Sequence, residues 1–336
     1  MKILVTGGTG MLGNAIIRLY HKKHALRFLG RNPQIAASLE QNYNVSAYLG
    51  DLSDKNTLRQ ACSGIDAIIH CAALSSPWGT YDDFYQANVL GTQNLLDAAL
   101  KEKVKTFIHI STTSVYFDES DRWAIKESDP VANPFCNDYA KTKYQAEQLV
   151  QSAPTDIKSI ILRPRGIFGP NDRAIVPRIM KAIRGNTLLM PSSRNPVLDL
   201  TYVDNVADAA ILACEHAKNV ESGSILNISN DEPKPVLDIL HSLFQESSSH
   251  QGSNTSVNIK RLPYSWLLPI LTANEWIRTK LPSRPEPKIT RYSAGLFHYH
   301  QTLDISRAKE LLGYKPHVSI EEGIQRYVIW SENQTV

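Results

Sequence analysis

The stretch Lys2-Ile-Leu-Val-Thr6-Gly-Gly-Thr-Gly-Met-Leu-Gly13 decides the fold of this 336-residue chain. Its apolar first half is typical of a buried strand, and its second half places glycines at positions 7, 8, 10 and 13. Helix N-termini carry unpaired N–H groups and the positive end of a dipole, so a glycine-rich turn that opens a helix suits phosphate. Because glycine has no Cβ, a pyrophosphate can approach the backbone closely there. The opening residues therefore predict a dinucleotide site.

Short apolar strands and helical patterns alternate through the first half of the chain. The strands are predicted at Lys2–Thr6, Ala25–Leu29, Val45–Tyr48, Ala67–His70, Thr106–Ile110 and Ser159–Arg163, and the helices at Met11–His21, Ile35–Gln41, Lys55–Ala61, Phe84–Lys101 and Tyr139–Gln151. This alternation predicts an α/β fold, a Rossmann doubly wound parallel sheet covered by helices on both faces. In such sheets ligands bind at the carboxyl ends of the strands.

The pattern becomes less regular after Phe168. A helix is predicted at Val176–Gly185, and Asp204 is a candidate N-cap of a later helix. Gly223–Ser229 is typical of another buried strand, whereas the Ser/Asn/Gln-rich stretch Gln245–Asn258 predicts a mobile loop.

We therefore expect two interleaved domains. Residues 1–168 form the dinucleotide-binding Rossmann domain, to which residues 198–232 return. Residues 169–197 and 233–336 form a smaller C-terminal α/β substrate domain.

Composition narrows the class of protein. The net charge of +3 is too small to argue for nucleic acid. The four cysteines show no metal-ligand spacing, so we expect reduced thiols and no metal site. No apolar run is long enough to predict a transmembrane helix, and the N-terminus does not resemble a signal peptide. We therefore expect a cytoplasmic protein.

Arg31 lies just after the second predicted strand, where a side chain affects the choice of dinucleotide. NAD-selective sites place an acidic residue there to accept from the ribose 2′-OH. A guanidinium suits a 2′-phosphate instead, so Arg31 favours NADP(H) and leaves NAD(H) as the alternative. Asp51 is placed to meet the adenine edge, although it or Ser53 also suits a helix cap. The residues expected from these patterns to bind the dinucleotide are Gly7, Thr9, Gly10, Met11, Leu12, Gly13, Arg31, Asp51, Leu52, Ala72 and Ala73.

A phenol and an ammonium lie four residues apart in Tyr139-Ala-Lys-Thr-Lys143. On a helix the two side chains share one face. A nearby ammonium favours the phenolate, so Lys143 is expected to lower the pKa of Tyr139 from its usual value of about 10. A hydroxyl from Ser111 or Thr112 at the end of the fifth strand is placed to bind a substrate oxygen. Together these groups predict proton transfer beside the dinucleotide.

The chain resembles the extended short-chain dehydrogenases/reductases of the epimerase/dehydratase type, and the resemblance runs nearly from end to end. The segments that carry it are Thr6–Gly13, Gly50–Leu52, His70–Ala73, Asn88–Thr92, Ser111–Tyr116, Tyr139–Lys143, Leu162–Pro170 and Tyr202–Asn205. The resemblance implies that Thr112, Tyr139 and Lys143 are catalytic and that Tyr139 and Lys143 also contact the dinucleotide. It further implies that Asn88 lies near the active site and that Pro164 and Ile167 flank the nicotinamide.

Within that superfamily the chain is most similar to the 3β-hydroxysteroid dehydrogenase-like proteins, especially the bacterial 2-alkyl-3-ketoalkanoate reductases. The segments Ala73–Gly79, Tyr81–Phe84 and Glu286–Tyr292 carry this likeness. Phe117 departs from the pattern, since many members have glycine there, and it is expected to reshape the pocket wall. A homodimer through the helices Phe84–Lys101 and Tyr139–Gln151 is an expectation from the family alone.

Several residues are candidates for the substrate side. Ser75 and Trp78 follow the fourth strand, and Arg165 and Arg173 suit a carboxylate. Four aromatic side chains near the strand ends suit either the wall of an apolar pocket or packing inside the loops; they are Trp78, Phe117, Trp123 and Phe135. The stretch Tyr264–Leu281 suits either a packed helix or an amphipathic lid in peripheral contact with membrane, although Pro263 and Pro269 argue against a long helix there.

These patterns favour an NADP(H)-dependent oxidoreductase that interconverts a secondary alcohol and a ketone on a hydrophobic small molecule, sterol-like or like a 3-keto fatty acid. One alternative is a nucleotide-sugar epimerase or dehydratase, although dehydratases commonly carry Asp-Glu where this chain has Thr113-Ser114. Another is a non-enzymatic, dinucleotide-sensing module, against which Thr112, Tyr139 and Lys143 argue.

Overall fold

A computed structural model describes residues 1–250 and 257–334. Its strands are β1 (Lys2–Thr6), β2 (Ala25–Gly30), β3 (Ser46–Leu49), β4 (Ala67–His70), β5 (Thr106–Ile110), β6 (Arg122–Ile125), β7 (Lys158–Pro164), β8 (Ile167–Phe168), β9 (Thr187–Met190), β10 (Val197–Leu198), β11 (Thr201–Tyr202), β12 (Ser224–Ile228), β13 (Lys234–Pro235), β14 (Asn258–Arg261) and β15 (Gln301–Leu303).

The helices lie mostly between these strands. They are α1 (Met11–Tyr20), α2 (Pro33–Tyr43), α3 (Lys55–Cys62), α4 (Tyr81–Phe84), α5 (Gly91–Lys101), α6 (Asp138–Gln151), α7 (Val176–Ala182), α8 (Val203–Glu215), α9 (Val236–His250), α10 (Tyr264–Lys280), α11 (Arg291–Gly295), α12 (Ser306–Leu312) and α13 (Ile320–Glu332). A π-helical segment, Tyr85–Leu90, joins α4 to α5. No helix within the described ranges is both long and apolar enough to cross a lipid bilayer.

A seven-stranded sheet in the order β12-β7-β5-β4-β1-β2-β3 forms the centre of the molecule, and all its strands run parallel. Successive side chains of a strand point to opposite faces. Ile3 and Val5 accordingly join the core under α1 and α8, whereas Leu4 joins the core under α3 and α5. The predicted Rossmann α/β sheet, helix-covered on both faces, is therefore confirmed.

The strand order reverses beside β1, so that a crevice opens between the carboxyl ends of β1 and β4. The glycine turn that follows β1 lies at this crevice, which is where doubly wound sheets bind their ligands. Beyond the central sheet, short strands form a four-stranded sheet in the order β13-β10-β15-β6 and two strand pairs, β11 with β8 and β14 with β9.

Three expectations about the second half of the chain are wrong. Asp204 lies inside α8 rather than capping it, because its carboxylate pairs with Arg18 and Arg326. The predicted loop at 245–258 is helical up to residue 250, where α9 ends, and residue 258 begins β14; residues 251–256 lie outside the described residues. Pro269 lies within the continuous helix α10.

Candidate active site

The glycine turn approaches the rest of the crevice too closely for any larger residue. Gly7 adopts φ +70°, and a Cβ there would lie 2.9 Å from the backbone nitrogen of Ala72. A Cβ on Gly13 would lie 2.4 Å from the carbonyl oxygen of Gly7. Gly10 caps α1 without any side-chain hydrogen bond, so the first N–H groups of this ten-residue helix lack a side-chain partner. These features fit a dinucleotide pyrophosphate at the turn.

The adenosine side of the crevice lies at the ends of β2 and β3. Arg31 is exposed and makes no hydrogen bond or salt bridge within the described part of the chain. Asp51 accepts hydrogen bonds from the backbone and hydroxyl of Ser53, which lower the pKa of its carboxyl, with a smaller contribution from Arg31. Neither Asp51 nor Ser53 caps α3, because Asp54 does so.

Leu52 and Asn88 are buried behind the dinucleotide crevice. Leu52 packs against Gly91 of α5, where an added Cβ would lie 2.8 Å from its Cδ1. Asn88 lies in the π-helical segment, and its amide oxygen accepts from the backbone N–H of Leu74 at 2.8 Å while its nitrogen donates to Leu74 and Thr142. Asn88 therefore braces the loop that follows β4.

Lys143, a residue of α6, is almost fully buried. Its Nζ donates to the carbonyl oxygen of Ile110 at 2.7 Å and lies 3.3 Å from Nε2 of His109. Burial lowers the pKa of Lys143 to about 8, because the charged form loses its hydration. The ammonium is thus held at the end of β5.

Tyr139 lies one helical turn before Lys143, beside the hydroxyls of Ser75 and Thr112. Burial raises the pKa of Tyr139, and hydrogen bonds from Ser75 and Thr112 only partly oppose this effect. The expectation that Lys143 lowers this pKa is therefore wrong for the protein without cofactor. The phenol keeps its proton at neutral pH, which suits a group that donates one.

A chain of hydroxyl groups extends from Thr112 away from Tyr139. Thr112 donates to Oγ of Ser114 at 2.9 Å, and Ser114 lies 2.7 Å from the hydroxyl of Tyr292. Ser111, in contrast, donates to Glu147, which forms a buried ion pair with Arg163. Because the Ser111 hydroxyl is hydrogen-bonded to Glu147, Thr112 is the residue at the end of β5 whose hydroxyl lies beside Tyr139.

A pocket of about 340 Å³ opens in front of Tyr139 and Thr112. Its wall is largely aliphatic, with α7 and α9 as the main contributors; the side chains include Ile175, Val176, Ile179, Val236, Ile239, Leu240 and Leu243. Met11, Ser75, Pro164 and Ile167 also line it, on the side of the sheet. The pocket suits an apolar ligand that presents a polar atom to Tyr139.

Two arginines line this aliphatic pocket, Arg165 and Arg178, and Arg178 is paired with Glu286 at 2.9 Å. Arg165 is 5% exposed, and its guanidinium has no hydrogen bond or salt bridge to any described residue. Burial lowers the pKa of Arg165, while Tyr292 and Asp199 act on it only at longer range. One carboxylate oxygen of Asp199 accepts a hydrogen bond from the backbone N–H of Leu303 at 2.7 Å, and burial raises the pKa of Asp199 to about 6. Arg165 is therefore a buried cation without a contact partner.

Comparison with known proteins agrees with this geometry. Residues 4–259 match the 3-beta hydroxysteroid dehydrogenase/isomerase family. The chain belongs to this family. It is therefore an enzyme of the NAD(P)-dependent short-chain dehydrogenase/reductase type, as the resemblance implied.

Two relatives align over nearly their whole length. A 2-alkyl-3-oxoalkanoate reductase from Stenotrophomonas maltophilia is 33% identical, with 97% of this chain and 98% of the relative covered. The Saccharomyces cerevisiae protein named sterol-4-alpha-carboxylate 3-dehydrogenase, decarboxylating, is 30% identical, with 98% and 97% covered. Among solved structures, UDP-glucuronic acid 4-epimerase from Bacillus cereus in complex with NAD superimposes with a TM-score of 0.73 at 25% identity, covering both chains fully.

The aromatic pocket expected from the sequence is not the one that the fold builds. Trp78 donates from Nε1 to the carbonyl oxygen of Arg284 at 2.8 Å and does not line the pocket of Tyr139. Phe117 is buried behind Tyr292, and Trp123 is exposed and stacks on His300. Phe135 packs on Tyr144. Trp78 and Phe135 line a neighbouring cavity instead, whereas Phe117 and Trp123 line neither of the two cavities.

Arg173, the second candidate for a carboxylate, is exposed and does not line the pocket. The sequence analysis also missed residues that do: the apolar positions of α9 and Tyr292 of α11. The spacing of Val236, Leu240 and Leu243 is the signal for α9, since it places all three on one helical face.

Proposed function

We propose that this enzyme is an NADP(H)-dependent oxidoreductase that interconverts the ketone and the secondary alcohol of an apolar substrate. We propose further that the substrate carries a carboxylate near the reacting carbon, as a 3-oxo acid does. The observation that carries this proposal is Arg165, which is nearly buried and pairs with no described residue, in an aliphatic pocket that also holds Tyr139 and Thr112. A buried ion costs several kcal/mol unless a partner compensates it, and a substrate carboxylate is such a partner.

The catalytic roles follow from the positions of the side chains. When bound in the crevice, a reduced nicotinamide would supply the hydride for the carbonyl carbon. Tyr139 donates its phenolic proton to the carbonyl oxygen, so the ketone becomes an alcohol, and Thr112 donates a hydrogen bond to the same oxygen. Lys143 binds the ribose of the cofactor, and Arg165 orients the carboxylate. The raised pKa of Tyr139 keeps the phenol protonated, so that it can donate this proton.

The names of two relatives support the choice of substrate class. The relatives from Stenotrophomonas and Saccharomyces are named for a 3-oxoalkanoate and for a sterol carboxylate, each with an acid group near the reacting position. The epimerase neighbour supports the alternative of nucleotide-sugar chemistry only through its fold and bound NAD. The aliphatic wall from α7 and α9 offers few polar groups to a sugar nucleotide.

The test is to incubate the full chain with NADPH and a 2-alkyl-3-oxoalkanoate, and separately with the methyl ester of that acid. We expect one NADPH consumed per ketone reduced, and a kcat/KM for the ester lower by at least about tenfold, since hydrogen bonds to charged groups contribute roughly 1.5–3 kcal/mol. Isomerisation of a nucleotide sugar without net NADPH loss, together with inert ketones, would reverse the assignment.

Arg31 is our reason for proposing NADP(H). Its exposed guanidinium, which forms no hydrogen bond or salt bridge with the described residues, suits a 2′-phosphate. We expect Arg31→Asp to raise the KM for NADPH by about 10- to 100-fold, the loss of a charge-assisted hydrogen bond, while the KM for NADH falls. Arg307→Asp, at an exposed arginine of α12, serves as the control. Equal use of NADH and NADPH by both variants would contradict the NADP(H) preference.

A further inference from the structure

Helix α10 is covered on one face only. Tyr264 and Leu271 are its buried residues, and they pack with Ala294 of α11. The remaining fifteen of its seventeen residues are half-buried or exposed. Neighbouring elements thus hold the inner face of α10 and leave the outer face uncovered.

The outer face of α10 is apolar. Trp266, Ile270 and Ile277 are 73%, 65% and 53% exposed, and their spacing of four and seven residues places them on one side of a helix. Trp276 is 64% exposed beside them. Of the eleven large apolar side chains that are exposed among the described residues, five lie between positions 266 and 281. Single exposed apolar residues are ordinary, but a cluster of this kind marks a contact surface.

The exposed charged residues before and after α10 are mostly positive. Glu275 is the only acidic residue of α10, and it is half-buried, where it accepts a hydrogen bond from the backbone N–H of Arg291. Exposed cations precede and follow the helix: Lys260, Arg261, Lys280, Arg284 and Lys288. The nearest exposed carboxylate after α10, Glu286, is paired with Arg178 at 2.9 Å.

We propose that the outer face of α10 docks in the interfacial plane of an anionic lipid bilayer. A helix with a tryptophan-bearing apolar face and flanking cations binds such a surface through apolar burial and attraction to lipid phosphates. Tryptophan is favoured at the level of the headgroups. A second copy of the chain fits less well, because a two-fold interface would bring the same cations together.

The docked face adjoins the approach to the active site. Trp78, in the loop after β4, donates to the carbonyl oxygen of Arg284, just beyond α10. A cavity bounded by Glu275, Thr279 and Arg284 reaches Tyr292, which also lines the substrate pocket. Docking would place this entrance beside the bilayer, so that an apolar substrate enters from lipid; this last step rests on the proposed function, whereas docking itself does not.

The experiment is flotation of the full chain with phosphatidylcholine vesicles that contain or lack phosphatidylglycerol. We expect the chain to float with the anionic vesicles and to be released by high salt. Trp266→Ser with Ile270→Ser should weaken binding by about tenfold for each side chain removed from lipid. Leu49→Ser with Ile329→Ser, two similarly exposed apolar positions on β3 and α13, should leave binding unchanged.

The proposal is overturned if the chain stays with the soluble fraction at low salt and excess anionic lipid. It is equally overturned if the wild type is a dimer that the Trp266 and Ile270 substitutions convert to a monomer without any change in flotation. Because flotation needs neither cofactor nor substrate, its result is independent of whether the chain reduces 3-oxo acids.

Discussion

At the scale of single residues, we expect Arg165 to lower the stability of the folded protein and to strengthen the binding of a carboxylate substrate. Its guanidinium faces the pocket and has no contact partner among the described residues, and its loss of hydration there disfavours the folded state. We expect Arg165→Met to raise the free energy of unfolding by about 1–3 kcal/mol, in the range found when buried charges are replaced by apolar groups. The same variant should lose selectivity for a carboxylate substrate over its methyl ester.

Chemical denaturation and kcat/KM for the acid and the ester together test this prediction. Arg163→Met is the contrasting control: Arg163 is equally buried but forms an ion pair with Glu147, so its loss should destabilise the protein. A less stable Arg165→Met protein with unchanged selectivity would mean that Arg165 has a structural role.

The pairing of Tyr139 with Lys143 could be predicted from sequence because helical spacing is local. The sign of the pKa shift at Tyr139 could not, because it depends on a balance set by the tertiary fold, in which burial raises the pKa more than the hydrogen bonds with Ser75 and Thr112 lower it. Similarly, the engagement of Ser111 with Glu147 could not be predicted, since an ion pair between α6 and β7 sets it.

At the scale of elements, the sequence predicted the strands of the Rossmann sheet well and the substrate side poorly. Buried parallel strands such as β1 and β5 are short apolar runs whose bounds the sequence marks directly. The polar end of α9 was assigned to a loop, although tertiary packing of its apolar face keeps it helical. Pro269 likewise argues against a long helix, but α10 continues through it.

Helix α9 should control which substrates fit. Ile239 lines the pocket, so Ile239→Trp should fill part of it. We expect the KM for long-chain 3-oxo acids to rise by about tenfold or more, the scale of one misfitted group in an apolar pocket, while short-chain acids are little affected. His241→Trp, on the exposed face of the same helix, is the control. Chain-length curves that coincide for Ile239→Trp and the wild type would contradict the position of the pocket.

At the scale of the whole molecule, two differently built halves meet at one crevice. The glycine turn, Tyr139 and Lys143 belong to the parallel sheet and its helices, whereas α7 and α9 contribute the largest share of the aliphatic wall. The half that contains the parallel sheet repeats a strand followed by a helix and is therefore predictable from sequence. The aliphatic wall of the pocket is instead assembled from long-range contacts between short elements. This division explains why the chemistry of the site followed from sequence and the shape of the pocket did not.

The central claim is that Tyr139 donates the proton in an NADPH-dependent ketone reduction. The most direct measurement is single-turnover oxidation of enzyme-bound NADPH on mixing with a 2-alkyl-3-oxoalkanoate, for the wild type and for Tyr139→Phe. We predict unchanged NADPH affinity and a rate lower by roughly 10²–10⁴-fold, the usual contribution of general acid catalysis. A Tyr139→Phe enzyme that binds NADPH normally and reduces the ketone at the wild-type rate would contradict the account.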